Sequence, residues 1–372
     1  MRLHAVRTLV AGLMMSGMLL AGEAASSPAQ AVATVASSPI PSDGADGRVN
    51  ALARVGDRVY IGGDFSSAGG QPRAGLAALD ATSGQVITTW RADVNGAVEA
   101  LAPSSDGATL YVGGEFTTVS GVIRRHVAAV STSTGGVGAW NPSALGGPVL
   151  ALATLGGHVY VGGKFTSIGS VERRYLAAVS SSGAMDLGFD AQLDGNVWAL
   201  KLSPDDGTLY AGGQFHSAAG QTRAHLAALS PASGSPAGWH PRVTCPVLGL
   251  DAVSSAVYAA CGGGRQLGNS AVAYSPSSGA PLWSAHTDGN VQAVAQLGGA
   301  VYIGGHFATV DGVSRKKAAA LDADSGQLLP WDPHPDSALG VQTLLADGDS
   351  LWMGGDFTTV NGTSQPHVAR FR

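Results

Sequence analysis

The sequence predicts an all-β protein, a seven-bladed β-propeller of four-stranded antiparallel blades, from three observations: a phrase repeated seven times, short alternating segments within each repeat, and chain ends that complete one another. The phrase reads Tyr60-Ile61-Gly62-Gly63-Asp64-Phe65 and recurs from Tyr111, Tyr160, Tyr210, Tyr302 and Trp352, with a degenerate copy from Tyr258. Its starting points lie 44 to 51 residues apart. Residues that recur in every unit build the scaffold, so function is sought where the units differ.

Residues 98–140 illustrate the unit. Val98 to Ala102 alternates with period two and reads as an inner strand. Turn chemistry follows at Pro103-Ser-Ser-Asp-Gly107, then a second strand from Thr109 to Val112 closing on Gly113-Gly114. A polar loop runs to Arg124, a third strand spans His126 to Val130, and a fourth ends at Trp140 before Asn141-Pro142. Inner strands begin at Val49, Val98, Val149, Val197, Val247, Val291 and Val341. The outer strands carry Trp90, Trp140, Phe189, Trp239, Trp283 and Trp331, large rings suited to docking between blades.

The ends argue for a ring. The last repeat stops after its third strand, at Arg372, while residues 33–40 precede the first inner strand without a unit of their own. The expectation is that residues near Thr34 to Ile40 supply the missing outer strand, leaving no open edge.

Composition agrees with this fold and narrows the function. Gly accounts for 54 of 372 residues, which suits many tight turns. Net charge is −5 without a Lys/Arg-rich run, which excludes the basic stripe of a nucleic-acid binder. Arg2 and Arg7 precede an apolar run from Leu9 to Ala21, too short to span a bilayer, and Ala29-Gln30-Ala31 offers a cleavage site. Residues 1–31 therefore read as a signal peptide and 32–372 as one secreted, extracellular propeller domain. No membrane span is expected, and the protein is expected to act as a monomer. Secretion permits a disulfide between the two cysteines, Cys245 and Cys261. Strands 247–250 and 256–260 read as a hairpin, with Leu250 opposite Ala256 or Val257 and Cys245 beside Cys261 or one residue from it.

These residues resemble known propeller patterns. The double glycine is similar to that of kelch repeats, and the stretches from Leu79 to Trp90 and from Leu321 to Trp331 resemble the tryptophan-docking motif of quinoprotein propellers. The whole unit, with Gly-x-x-Arg and Leu-Ala-Ala-Leu-Asp after the phrase, most resembles the delta-60 repeat family of secreted bacterial β-propellers, over about residues 45–372. The resemblance implies a fold and no particular activity. The fifth repeat departs from it: its Gly-Gly is displaced, its Phe is absent and its following loop is short.

Two variable loops per blade share one face, so binding is expected there and at the channel mouth. Arg73, Arg124, Arg173, Arg223 and Arg315 each stand eight residues after the Phe; they form either an anion-binding ring or a set of ties from loop to carbonyl. Asp64, Glu115, Lys164, Gln214, His306 and Asp356 vary inside the phrase and are either ligand contacts or solvated side chains. Asp46, Asp194 and Asp288 precede Gly before an inner strand and suit either Ca²⁺ or Asp-Gly turns. No other cofactor is expected.

The zinc-protease, nucleophile-elbow, phosphate-loop and Cys-x-x-Cys motifs are missing from the sequence. The expected function is a binding or surface-interaction module for an extracellular protein or glycan. The alternative is an extracellular enzyme with a channel-mouth active site, a quinoprotein-like oxidoreductase or a glycan lyase or hydrolase. Any such catalysis is expected to draw on Asp194, His240, His286 and Asp288 rather than on the repeated Arg or Trp; Lys164 and His306 complete the set of candidate ligand contacts.

Overall fold

The computed structural model describes residues 32–263 and 268–372, and the expected signal peptide lies outside them. Among the described residues the secondary structure is entirely β, with no helix. Seven antiparallel sheets follow one another along the chain. Their innermost strands are Arg48–Val55, Val98–Pro103, Val149–Leu155, Val197–Leu202, Val247–Ala252, Val291–Leu297 and Val341–Asp347. Each pairs with the strand that carries the repeated phrase, and that strand pairs in turn with a third. Each innermost strand also packs against that of the next sheet, and Val341–Asp347 packs against Arg48–Val55.

The repeated phrase is explained by this packing. A Cβ on Gly62 would stand 2.5 Å from the Val98 side chain of the following sheet, and one on Gly354 would stand 2.8 Å from Val49. The first glycine of the pair is thus a socket for the valine that opens the next inner strand, because only a residue without Cβ admits so close an approach. Tyrosine and tryptophan fill the outer part of the same contacts. The Tyr60 and Trp90 rings meet edge to face at 5.2 Å, and Trp90 Nε1 donates to the Ser131 carbonyl of the next sheet at 3.0 Å. Trp140, Trp239 and Trp283 repeat that bond to Ser180, Ser275 and Ala323, and Trp331 donates to Ala36 near the N-terminal end of the described chain.

The expected fourth strand forms in full in one sheet alone. In five of the others it is a single bridge: Leu79 with Val86, Val130 with Val137, Val179 with Met185, Leu229 with Pro236 and Leu321 with Leu328. In four of these sheets a repeated arginine holds the same segment. Arg73, Arg124, Arg223 and Arg315 are anchored on the preceding carbonyl, and their second guanidinium arm takes the carbonyls of Thr88, Gly138, Ala237 and Leu329, beside the bridge. Arg173 instead pairs with Asp190 at 2.5 Å. A guanidinium thus bonds carbonyls of the segment that a continuing strand would occupy. In the fifth sheet register places Gly268 where the other repeats have arginine, and there a complete fourth strand, Pro281–Thr287, zips along Asn269–Tyr274.

The loop after the repeated phrase, read from sequence as irregular, is a miniature hairpin in six repeats, for example Thr118–Val119 with Val122–Ile123. Two-residue arms are too short to show an alternating pattern. In the seventh sheet Ile40 bridges Arg370, and the amides of Ile40 and Ala36 donate to the carbonyls of Arg370 and Arg372 at 2.7 and 3.0 Å.

Cys245 and Cys261 are disulfide-bonded, with Cα atoms 5.6 Å apart. The hairpin that carries them has a different register from the expected one. Leu250 faces Ala259, because the turn is tighter and a bulge follows Val247, so that Cys261 faces Val247 rather than Cys245.

Candidate functional site

The seven inner strands converge on one cavity. Each begins with the same irregularity: the opening valine is paired, the next residue is skipped by the ladder, and pairing resumes one residue later. A bulge of this kind re-aims the extra side chain. Here the skipped residues are Asn50, Glu99, Leu150, Trp198, Leu248, Gln292 and Gln342, and all seven line a cavity of about 240 Å³. A second cavity of about 200 Å³ adjoins it and adds Leu52, Leu101, Leu152, Leu200, Leu250, Val294 and Leu344 to its wall.

The ring of seven is divided by chemistry. Sheets six, seven, one and two contribute Gln292, Gln342, Asn50 and Glu99, an unbroken polar arc. Sheets three, four and five contribute Leu150, Trp198 and Leu248, an apolar arc. Gln292 and Gln342 exchange amide hydrogen bonds at 3.0 and 3.3 Å, and Asn50 Nδ2 donates to the Val98 carbonyl at 3.3 Å. Trp198 differs from the other tryptophans: five donate to carbonyls of a neighbouring segment, and Trp352 lies beneath the Arg370 guanidinium at 5.4 Å.

Glu99 carries the charge of the ring. Burial raises its carboxyl to about 7, Arg48 opposes that rise, and the nearby negative charges of Glu115 and Asp64 reinforce it. Glu115, Asp64 and Lys164 belong to the variable position inside the repeated phrase. All three are exposed, and they act on Glu99 through their fields.

The aspartates proposed from sequence have a different task. Asp46 Oδ1 accepts the amides of Ser66 and Ser67, each at 2.8 Å, and Asp194 accepts those of His216 and Ser217. Asp288 accepts the amides of Ala308 and Thr309, and Asp336 and Asn95 make the equivalent pair in their own sheets. Each side chain clamps the start of the miniature hairpin. Burial raises the Asp46 carboxyl, but the hydrogen bonds from Ser66 and Ser67 outweigh it and bring the group down to about 2. Among the described residues no three His, Cys, Asp or Glu side chains gather into a metal-holding group.

Of the sequence candidates, Asp288 and His306 share a cleft with Asn269 and Lys317. His240 is exposed just after Trp239, and His286 lies on Pro281–Thr287, the fourth strand of the fifth sheet, 3.7 Å from Asp311. Neither lines the central cavity, and nor do Asp46, Asp194 or Lys164. The ring itself escaped sequence reading, although a signal was present. In the Val-x-Ala that opens five of the inner strands, with Gly249 and Thr343 in place of the Ala in the other two, the middle residue changes in chemistry from repeat to repeat while its neighbours stay small.

Comparison with known proteins addresses the fold. Residues 157–189 match a family model described as a domain of unknown function (DUF5122) β-propeller. No match to a curated protein was found by sequence. Among solved structures, the chain is similar to the WD40 β-propeller domain of Doa1, with a TM-score of 0.61 at 12% identity, covering 91% of this chain and 96% of that one. It is also similar to the computationally designed Ika8 protein, with a TM-score of 0.53 at 15% identity, over 88% and 97% of the two chains. Seven sheets in series, inner strands converging on one cavity and the likeness to a WD40 domain agree: the protein is a β-propeller.

Proposed function

We propose that the protein is a secreted binding module whose ligand enters the mouth of the central channel. Its seven sheets act as the blades of a ring, closed where residues 36–40 lie along the last sheet, and residues 1–31 serve as the export signal. The resemblance of the repeats to the delta-60 family supports the same architecture. One observation carries the binding reading: the seven bulged positions converge on one cavity and differ from one another, with a polar arc facing an apolar one. A ring that served packing alone would repeat one small side chain, as the flanking valine and alanine positions do. Rigid strands holding varied side chains around a concavity make a preformed site.

A second reading, an extracellular enzyme, is favoured by Glu99 alone. A carboxyl titrating near 7 inside a channel suits general acid or base work. Asp194, His240, His286 and Asp288 lie away from it, so the catalytic group in that reading is Glu99.

Crystals of the mature protein soaked with chemically diverse fragments test the binding reading. Fragments should settle between Trp198 and the Gln292–Gln342 pair before any other surface. Fragments settling elsewhere, with water alone at the mouth, would overturn it.

A further inference from the structure

We infer that the channel mouth takes one neutral hexopyranose ring, the terminal unit of a glycan, stacked on Trp198 and hydrogen-bonded by Asn50, Gln292 and Gln342. This rests on the channel-mouth reading above and gives the ligand its class.

The argument is one of matched surfaces. A pyranose ring has a face of C–H groups and a rim of hydroxyls, each both donor and acceptor. The indole face of Trp198 carries the negative side of an aromatic quadrupole, which attracts the partly positive C–H face. Opposite it, the amides of Asn50 and Gln292 each keep one hydrogen beyond their bonds to Val98 and Gln342, beside an oxygen that accepts, the pattern that two adjacent hydroxyls satisfy together; Gln342, whose two amide hydrogens go to Gln292 and the Leu339 carbonyl, adds an acceptor. Glu99 lies at the end of the same arc, where its carboxyl can accept from a hydroxyl.

Other ligand classes fit less well. A wholly apolar ligand would strip water from four polar side chains without replacing their hydrogen bonds, a net cost. An anionic ligand would meet the carboxylates of Glu115 and Asp64 and, above about pH 7, that of Glu99, with Arg48 and Lys164 the cations that act on Glu99. Size limits the unit as well. A cavity of about 240 Å³ lies below the ~300–1,000 Å³ of drug-sized sites, enough for one ring with the rest of a chain leading outward.

Titration of the mature protein with methyl glucoside, methyl galactoside, methyl mannoside and N-acetylglucosamine, followed by calorimetry, tests the assignment, with sorbitol and glucuronate as comparators. At least one neutral pyranoside should bind saturably, and neither comparator should bind as tightly. Trp198→Leu should weaken binding at least tenfold and Gln342→Ala several-fold. Two positions of the ring already carry leucine, so Trp198→Leu should keep its thermal midpoint, and Trp239→Phe, away from the channel, should keep its affinity. A pyranoside that binds both channel variants as well as the parent would overturn the inference. So would glucuronate or sorbitol matching the best pyranoside. If no pyranoside binds while soaked fragments do occupy the mouth, the sugar assignment falls and the binding module stands. If the mouth stays empty in both experiments, both fall.

Discussion

Glu99 shows how a single position in a repeat acquires a property its equivalents lack. Asn50, Leu150, Trp198, Leu248, Gln292 and Gln342 occupy the same bulge on neighbouring strands, and only Glu99 places an ionisable group in the channel. Its carboxyl is raised from 4.5 to about 7, first by burial. Between roughly pH 4.5 and 7 the folded protein therefore keeps a proton that the unfolded chain has released. Stability contributed by the neutral carboxyl is full at low pH, falls as pH rises through that window and is level above it. Glu99→Gln should consequently match the parent near pH 4 and exceed it by about 2 kcal/mol near pH 8, after allowance for partial solvent contact. Urea unfolding at the two pH values measures this, and an equal difference at both would show that burial does not perturb Glu99.

At the scale of the element, the outer edge is held by an arginine in four sheets and by a ladder in the fifth. Where Arg73, Arg124, Arg223 or Arg315 is present, carbonyls of the fourth segment bond a guanidinium and the segment touches its sheet at one bridge. Where Gly268 takes that place, the ladder runs through to Thr287. The fifth sheet lacks the phenylalanine of the other repeats, yet gains this strand and the bond between Cys245 and Cys261. These cysteines are 16 residues apart, so the bond should contribute roughly 3 kcal/mol through the entropy of the unfolded chain. Cys245→Ser with Cys261→Ser should lower the urea midpoint accordingly, and reductant should then have no further effect. The parent should fall to the same midpoint when reduced. The pairing of these cysteines was legible in the sequence from a hairpin between two short strands. The register was not, because a bulge at Leu248 and a turn at residues 253–256 shift it without changing the alternation by which strands are recognised.

At the scale of the molecule, the contact between the seventh and first sheets is built differently from the rest. Elsewhere a tryptophan, or Phe189 in the third sheet, docks against the next sheet. Here Arg370 reaches across and donates to the carbonyls of Ala81 and Thr82 at 2.6 and 2.8 Å, with its guanidinium over Trp352. Val35 and Trp331 join the apolar cluster of the last two sheets, tying the start of the described chain to its end. Deleting residues 32–42 should therefore loosen the whole molecule, exposing the Trp331 ring and unpaired groups along Val368–Phe371. The thermal midpoint of the shortened protein should fall by roughly 5–10 °C. An unchanged midpoint would mean that the seam holds without this segment.

The sequence by itself determined the all-β class and the recurrence of one unit along the chain, because a glycine socket, a docking ring and an alternating strand each need fixed residue types at fixed spacing. It also indicated the cysteine pair and the loop-tying role open to the arginines. Only the tertiary structure decided which variable positions face a common space. The aspartates before the inner strands look like ligand groups in one dimension, yet in three each is folded back on backbone amides of its own sheet. The seven bulged residues look like ordinary strand positions, but a skipped pairing turns each toward the axis. Residues some fifty positions apart become neighbours there, and no local pattern records that convergence. The physical reason is that a repeat encodes contacts within and between adjacent units, whereas the chemistry of a channel is a property of all the units at once.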